Sequence, residues 1–208
     1  MPDLSLGGYK YTATYLDDYL SFGVMFYLKK KSDEFAAFKQ YKAWAERQLG
    51  TTLKCRQFDR GGEFLSIEQK AYMIENRIET QTSMPDTPQQ NGRVERFQQT
   101  IVNGAEAMRH HTGLSNGFWI YAVKAKLHTY NVTPIKRADY KTPTELWSGK
   151  KPNISHLRVF GCQAWVHILK KRRSKLEPKS REMLVTNRDP RDTSSGMQPT
   201  IASKFPVM

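Results

Sequence analysis

The sequence predicts a mixed α/β fold followed by a basic, Pro-bearing end. Three observations carry this: aromatic and β-branched runs of strand length near the start, apolar stripes at helical spacing interleaved with them, and a positive charge excess confined to the last third. Strands alternating with helices exclude an all-helical bundle and an all-β sandwich.

Residues 9–16 and 22–28 are the first two strands, separated by the polar turn Asp17-Asp18-Tyr19-Leu20-Ser21, and they form a hairpin. Ser32, Asp33 and Glu34 start a helix. Phe35, Phe38, Tyr41, Ala45 and Leu49 recur on one of its faces, and Gly50 stops it. A strand at 52–58 ends in Asp59-Arg60-Gly61-Gly62-Glu63, which places Asp59 where the chain leaves the sheet; Glu63 supports the turn. Residues 66–77 read as a helix, 78–82 as a strand and 83–92 as a loop built from Pro, Gln, Asn and Gly. From Arg93 the positions Val94, Phe97, Ile101, Ala105 and Met108 form one helical stripe with Glu95 at its edge. Gly92 is expected to turn the backbone tightly, with positive φ, just before that helix. His110 and His111 fall on the surface of its far end. A further helix at 118–131 carries core positions including Trp119, Ala122, Val123 and Leu127.

The 208 residues have a net charge of +13 and a pI near 9.7, which calls for an anionic partner. No apolar run is long enough to span a bilayer, so that partner is nucleic acid and not a membrane. Residues 1–135 hold 17 Lys/Arg against 14 Asp/Glu, and residues 136–208 hold 16 against 6, so the excess lies at the C-terminal end. Two cysteines, Cys55 and Cys162, are too few for a disulfide framework and read as small buried hydrophobes of a reducing compartment.

Several stretches together resemble the integrase of Ty1/copia-type LTR retrotransposons, within the ribonuclease-H-like superfamily of retroviral integrases. They are YLDDYL, FDRGGEF, TPQQNGRVERFQQTI, GFWIYAV, KTPTELWSGKKPNISHLRVFGC and SKLEPKS, in the family's order, and 35 residues separate Asp59 from Glu95 as in DDE integrases. The resemblance implies a ribonuclease-H-like mixed sheet flanked by helices over residues 1–135, a connection at 136–154 and an SH3-like segment at 155–182. Further strands should follow in the family, but the end of this chain is rich in Ser, Thr, Pro and Arg without strand alternation, so 183–208 reads as a disordered tail. Strands of the SH3-like segment are expected at 156–160 and 164–169.

The same resemblance implies Mg²⁺- or Mn²⁺-dependent 3′-end processing and strand transfer, with Asp59 and Glu95 as catalytic carboxylates and metal ligands. Two divalent ions clamping a scissile phosphate demand hard oxygen donors converging from rigid elements. By resemblance Gln89, Gln90, Asn91 and Arg93 contact a DNA strand and Arg96 a phosphate. Lys170, Lys171, Arg172 and Arg173 form a basic run suited to phosphates without base reading. DNA is the implied partner, RNA a further one, with a homo-oligomer as the working form of the intact protein. The implied location is nuclear, on chromosomal DNA, and otherwise cytoplasmic.

Two departures from the family stand out. The family's first catalytic Asp, in a D-x-x-G-P type segment, has no counterpart here, and the first core strand that bears it is expected to be missing. In the family's sheet that strand is central, so residues 9–16 and 52–58 are expected to flank a gap. Arg60 stands where Asn is usual, and a guanidinium there competes with a cation for Asp59. The chain therefore reads either as an integrase core inactive on its own or as a non-catalytic nucleic-acid-binding remnant of a degenerate retroelement.

Overall fold

The structure, a computed structural model, describes residues 3–58, 66–82, 88–155, 157–170, 173–174, 177–186 and 200–202. At 58, 82, 88–91 and 200–202 it describes the backbone alone.

Strands β1 (Tyr11–Leu16) and β2 (Gly23–Leu28) form the expected antiparallel hairpin, with Tyr11 opposite Leu28 and Leu16 opposite Gly23. β2 is buried on both faces. Val24, Phe26 and Leu28 enter one core and Met25 enters another, so the hairpin is the middle layer of a three-layer arrangement.

The first core lies under α1 (Glu34–Leu49), whose Ala37, Phe38, Tyr41 and Ala45 are buried. Asp33 accepts the Lys30 N–H at the start of this helix, and Gly50 ends it with φ of 65° and its N–H on the Glu46 carbonyl. β3 (Cys55–Phe58) and β4 (Glu79–Thr82) pair in parallel, joined by α2 (Ile67–Glu75), which Ser66 caps by accepting the Gln69 N–H at 3.2 Å.

The second core lies between the hairpin and two long helices, α3 (Pro88–His111) and α4 (Trp119–Asn131). Phe97, Ile101 and Ala105 from α3 meet Trp119, Ala122 and Val123 from α4. α5 (Pro143–Ser148) follows, capped by Thr142, and its Trp147 stacks on Phe22 at 4.6 Å and on Trp44 at 5.2 Å. The chain then forms an antiparallel sheet of β5 (Gln163–His167), β6 (Ser180–Thr186) and β7 (Thr200–Ala202) in the order 5-6-7. No helix among the described residues is long and apolar enough to cross a membrane.

Several expectations are corrected. The loop expected to end at Gly92 is already helix from Pro88. Proline suits the first helical position because that N–H has no intrahelical partner anyway, and the two glutamines that follow are good helix formers. Gly92 is therefore not a positive-φ turn residue. Residues 157–160 form turns instead of a strand: Leu157 N–H returns to the Ile154 carbonyl, and Gly161, at φ 76°, donates to Val185.

The expected tail from 183 is partly ordered sheet. Leu184, Val185 and Thr186 are consecutively buried in β6, and Leu184 joins the α3–α4 core. Burial on both faces erases the polar–apolar alternation by which a strand is recognised. His156 lies outside the described residues.

The hairpin and the β3–β4 pair are separate two-stranded sheets, as expected for strands flanking a gap. Side chains tie them instead. Glu34 Oε1, at the start of α1, accepts the Tyr15 hydroxyl from β1 at 3.0 Å and Arg56 Nη2 from β3 at 2.6 Å. The Arg56 guanidinium also lies 3.9 Å from the centre of the Phe38 ring. Burial first, then the Glu34 charge, pushes the Tyr15 phenol well above its ordinary range, so it remains a neutral donor.

Candidate active site

Asp59 immediately follows Phe58, the last residue of β3, and itself lies outside the described residues, as do Arg60 and Glu63. Glu95 is not in the opening turn of its helix, as expected, but is the eighth residue of α3, counted from Pro88, so the positive helix end acts on it weakly. It is exposed, and no hydrogen bond or ion pair engages it among the described residues. An exposed carboxylate on a rigid helix is a hard oxygen donor.

A corner of packed residues sets the position of α3. Phe97, one turn-half beyond Glu95, rests against Gly23 so closely that a Cβ there would sit 2.3 Å from its Cζ. Gly23 is in turn held by Asn131 at the end of α4. Its Oδ1 accepts the Gly23 N–H at 3.0 Å, and its Nδ2 donates to the Gly23 carbonyl at 2.8 Å. Asn131 is 1% exposed, so this pairing is closed to water. Glycine is required here by the approach of a ring and not by φ.

Arg93, expected on a DNA strand, reaches back to the hairpin turn. Its Nη1 donates to the Asp18 carboxylate and carbonyl, and its Nη2 to Ser21 Oγ at 2.9 Å. Arg137 closes on the same turn, with Nε on Ser21 Oγ at 3.0 Å and Nη2 on the Asp18 and Tyr19 carbonyls at 2.7 and 3.1 Å. Ser21, at φ 56°, is thus gripped by two guanidiniums. Burial raises the nearby Tyr130 phenol against the pull of both arginines.

Of the remaining expected contacts, Gln89, Gln90 and Asn91 lie in the first turn of α3, with side chains outside the description. Arg96 is exposed one residue beyond Glu95, and its carbonyl accepts the Thr100 hydroxyl. Lys170 is exposed beyond β5. Lys171 and Arg172 lie outside the described residues, and Arg173 is half-buried. Among the described residues no cluster of His, Cys, Asp and Glu forms a complete metal site.

Sequence reasoning missed Arg137, Asn131 and the Tyr15–Glu34–Arg56 link. Asn131 alone left a signal, as a polar residue four positions after Leu127 in the apolar stripe of α4.

No family model matches the chain. It is 36% identical over 176 residues, 85% of its length, to the retrovirus-related Pol polyprotein from transposon TNT 1-94 of Nicotiana tabacum. It is 29% identical over 181 residues to the corresponding polyprotein from transposon RE2 of Arabidopsis thaliana. The chain spans 13% and 12% of these relatives' lengths.

Among solved structures it resembles the magnesium-bound HTLV-2 integrase catalytic core domain, with a TM-score of 0.50 and 22% identity over 65% of this chain and 83% of that one. It also resembles a chain of the simian T-cell lymphotropic virus intasome in complex with PP2A regulatory subunit B56 gamma. There the TM-score is 0.54, with 16% identity over 86% of this chain and 63% of that one. At these identities the likeness is one of fold, that of integrase catalytic cores, which is ribonuclease-H-like.

Proposed function

From similarity to the retrovirus-related Pol polyproteins of plant transposons along most of the chain, we propose the catalytic core of a retrotransposon integrase, acting on element ends and target DNA. The observation that carries this reading is 36% identity to a Pol polyprotein along 85% of the chain, together with a carboxylate, Glu95, that is unengaged among the described residues on the helix packed against the hairpin. Asp59 and Glu95 would hold a divalent cation, Mg²⁺ or Mn²⁺, which supplies Lewis acidity to a phosphodiester oxygen when bound.

This chain's residues do the positioning. Glu34, Arg56 and Tyr15 hold β3, from whose end Asp59 follows. Gly23, Asn131 and Phe97 fix α3, and Arg93 with Arg137 locks the hairpin turn against it. Gln89, Gln90, Asn91 and Arg96 would meet DNA beside the carboxylates, and the run from Lys170 to Arg173 would hold phosphates farther off. DNA is the substrate, RNA a further ligand, a homo-oligomer the working assembly and the nucleus its location.

Asp59 and Glu95 are the two carboxylates this reading assigns, and an integrase site uses three, so these 208 residues by themselves are expected to bind DNA without cutting it. Arg60 beside Asp59, whose guanidinium competes with a cation for the carboxylate, favours the second reading, a nucleic-acid-binding remnant. Incubating the chain with labelled duplex ends and Mg²⁺ separates three outcomes. Binding without nicking is expected; nicking lost in Asp59→Asn would show the site to be complete; the absence of binding at low salt would overturn the assignment.

A further inference from the structure

A cavity of about 220 Å³ opens between the C-terminal half of α3 and the start of α4, beginning at Val102, two turns beyond Glu95. Its walls are apolar, from Val102, Ala105, Ala122 and Val123, and small side chains on both helices leave the space. Trp119 lines it at 6% exposure, and its indole N–H has no acceptor among the described residues.

The rim presents acceptors on a chain that is otherwise strongly basic. Glu106 and Asp3 stand at the mouth. Arg109, the one cation there among the described residues, is engaged within the protein, with Nη1 on the Leu114 carbonyl at 3.0 Å and Nη2 against His110 Nε2 at 3.1 Å. Asn116 spends its amide on Asp3 Oδ2 at 2.7 Å. Beside Asp3, Leu4 and Leu6 are 61% and 49% exposed and continue the apolar surface outward.

Carboxylates at the mouth repel a nucleic-acid backbone, so this is not an extension of the DNA surface. The volume falls below the roughly 300–1,000 Å³ of pockets for drug-sized ligands, and it suits a single side chain.

We infer that this cavity seats one bulky aliphatic side chain of a partner protein, presented on a peptide segment with Lys or Arg beside it. The anchor fills the space between Ala105 and Ala122 against Trp119, and the flanking cations face Glu106 and Asp3.

The test uses the purified chain and the peptide acetyl-Lys-Leu-Lys-Leu-Lys-amide, read by the four tryptophan indole N–H signals in a ¹⁵N spectrum. Loss of one signal in Trp119→Phe assigns it. The expected result is a saturable shift of that signal, with affinity reduced about tenfold by Val102→Phe, which fills the mouth, and about threefold or more by Glu106→Lys. Val102 is only half-buried, which keeps that variant foldable where Ala122→Leu, in the closed core, fails.

The peptide acetyl-Glu-Leu-Glu-Leu-Glu-amide should bind about tenfold more weakly. A Trp119 signal unmoved at millimolar peptide, an affinity unchanged in Val102→Phe, or equal binding of the acidic peptide would overturn the inference. A dimerisation abolished by Val102→Phe would instead give the cavity to a second copy of the chain, and would also overturn it.

Discussion

Replacing Asn131 with Ala should destabilise the fold more than any exposed substitution, because one side chain serves two buried backbone groups. The amide of Asn131 takes the Gly23 N–H at 3.0 Å and gives to the Gly23 carbonyl at 2.8 Å, at a point 1% exposed. With the amide gone, neither Gly23 group finds water. Each orphaned group costs about 1–3 kcal/mol, so the loss is about 2–6 kcal/mol against a domain stability of roughly 5–15 kcal/mol. At about 2–4 °C per kcal/mol for a chain of this size, Tm falls by about 4–24 °C.

Asn131→Asp sharpens the argument. At neutral pH its carboxylate offers no donor to the Gly23 carbonyl and buries a charge, which raises its folded pKa above the unfolded value of about 3.9. Protonation restores one donor and one acceptor. The Asp variant's deficit is therefore full at pH 7 and shrinks as pH falls through the folded pKa. Thermal melts by circular dichroism between pH 7 and 4 read both effects. An Ala variant within about 0.5 kcal/mol of the parent, or an Asp deficit that does not change with pH, would refute the reasoning.

Other changes have equally definite outcomes. Gly23→Ala would put a methyl 2.3 Å from Phe97 Cζ, and because Phe97 is itself buried the ring cannot swing clear; a loss of about 1–3 kcal/mol in denaturant melts is expected. The Glu46 carboxyl, which burial pushes up, is nonetheless held below its ordinary range by the Leu53 N–H and by Lys42. Its stabilisation is present above the unfolded pKa of about 4.3 and is lost as pH falls through the lower folded value, so the stability gap between the parent and Glu46→Gln should close on the acid side of pH 4.3. Replacing Lys170, Lys171, Arg172 and Arg173 with Ala should flatten the salt dependence of duplex DNA binding by about two to four units in anisotropy titrations; an unchanged slope moves the binding surface to α3.

Local chemistry made the hairpin, α1 and α4 readable, because each combines an apolar period with its own turn or cap. Asp33, Gly50 and the stripe from Phe38 to Ala45 agree with one another before any tertiary contact is considered. The start of α3 was misread because Asn91 and Gly92 look like breakers, yet a helix of 24 residues absorbs them. β6 hid for the opposite reason, since burial of Leu184, Val185 and Thr186 on both faces leaves no alternation.

Of the candidate site, the types and spacing of Asp59 and Glu95 were legible through resemblance. The commitment of Arg93 to Asp18 and Ser21 was not, since the partners lie about seventy positions apart in the chain and no local pattern joins them.

The central claim is that Asp59 and Glu95 share a divalent cation. Mn²⁺ titration of the chain, read by paramagnetic broadening of backbone signals, tests it most directly. The account predicts weak binding that broadens signals around both Asp59 and Glu95 and is abolished by Asp59→Asn and by Glu95→Gln alike. Undiminished binding in either variant, or broadening centred away from these two residues, would contradict it.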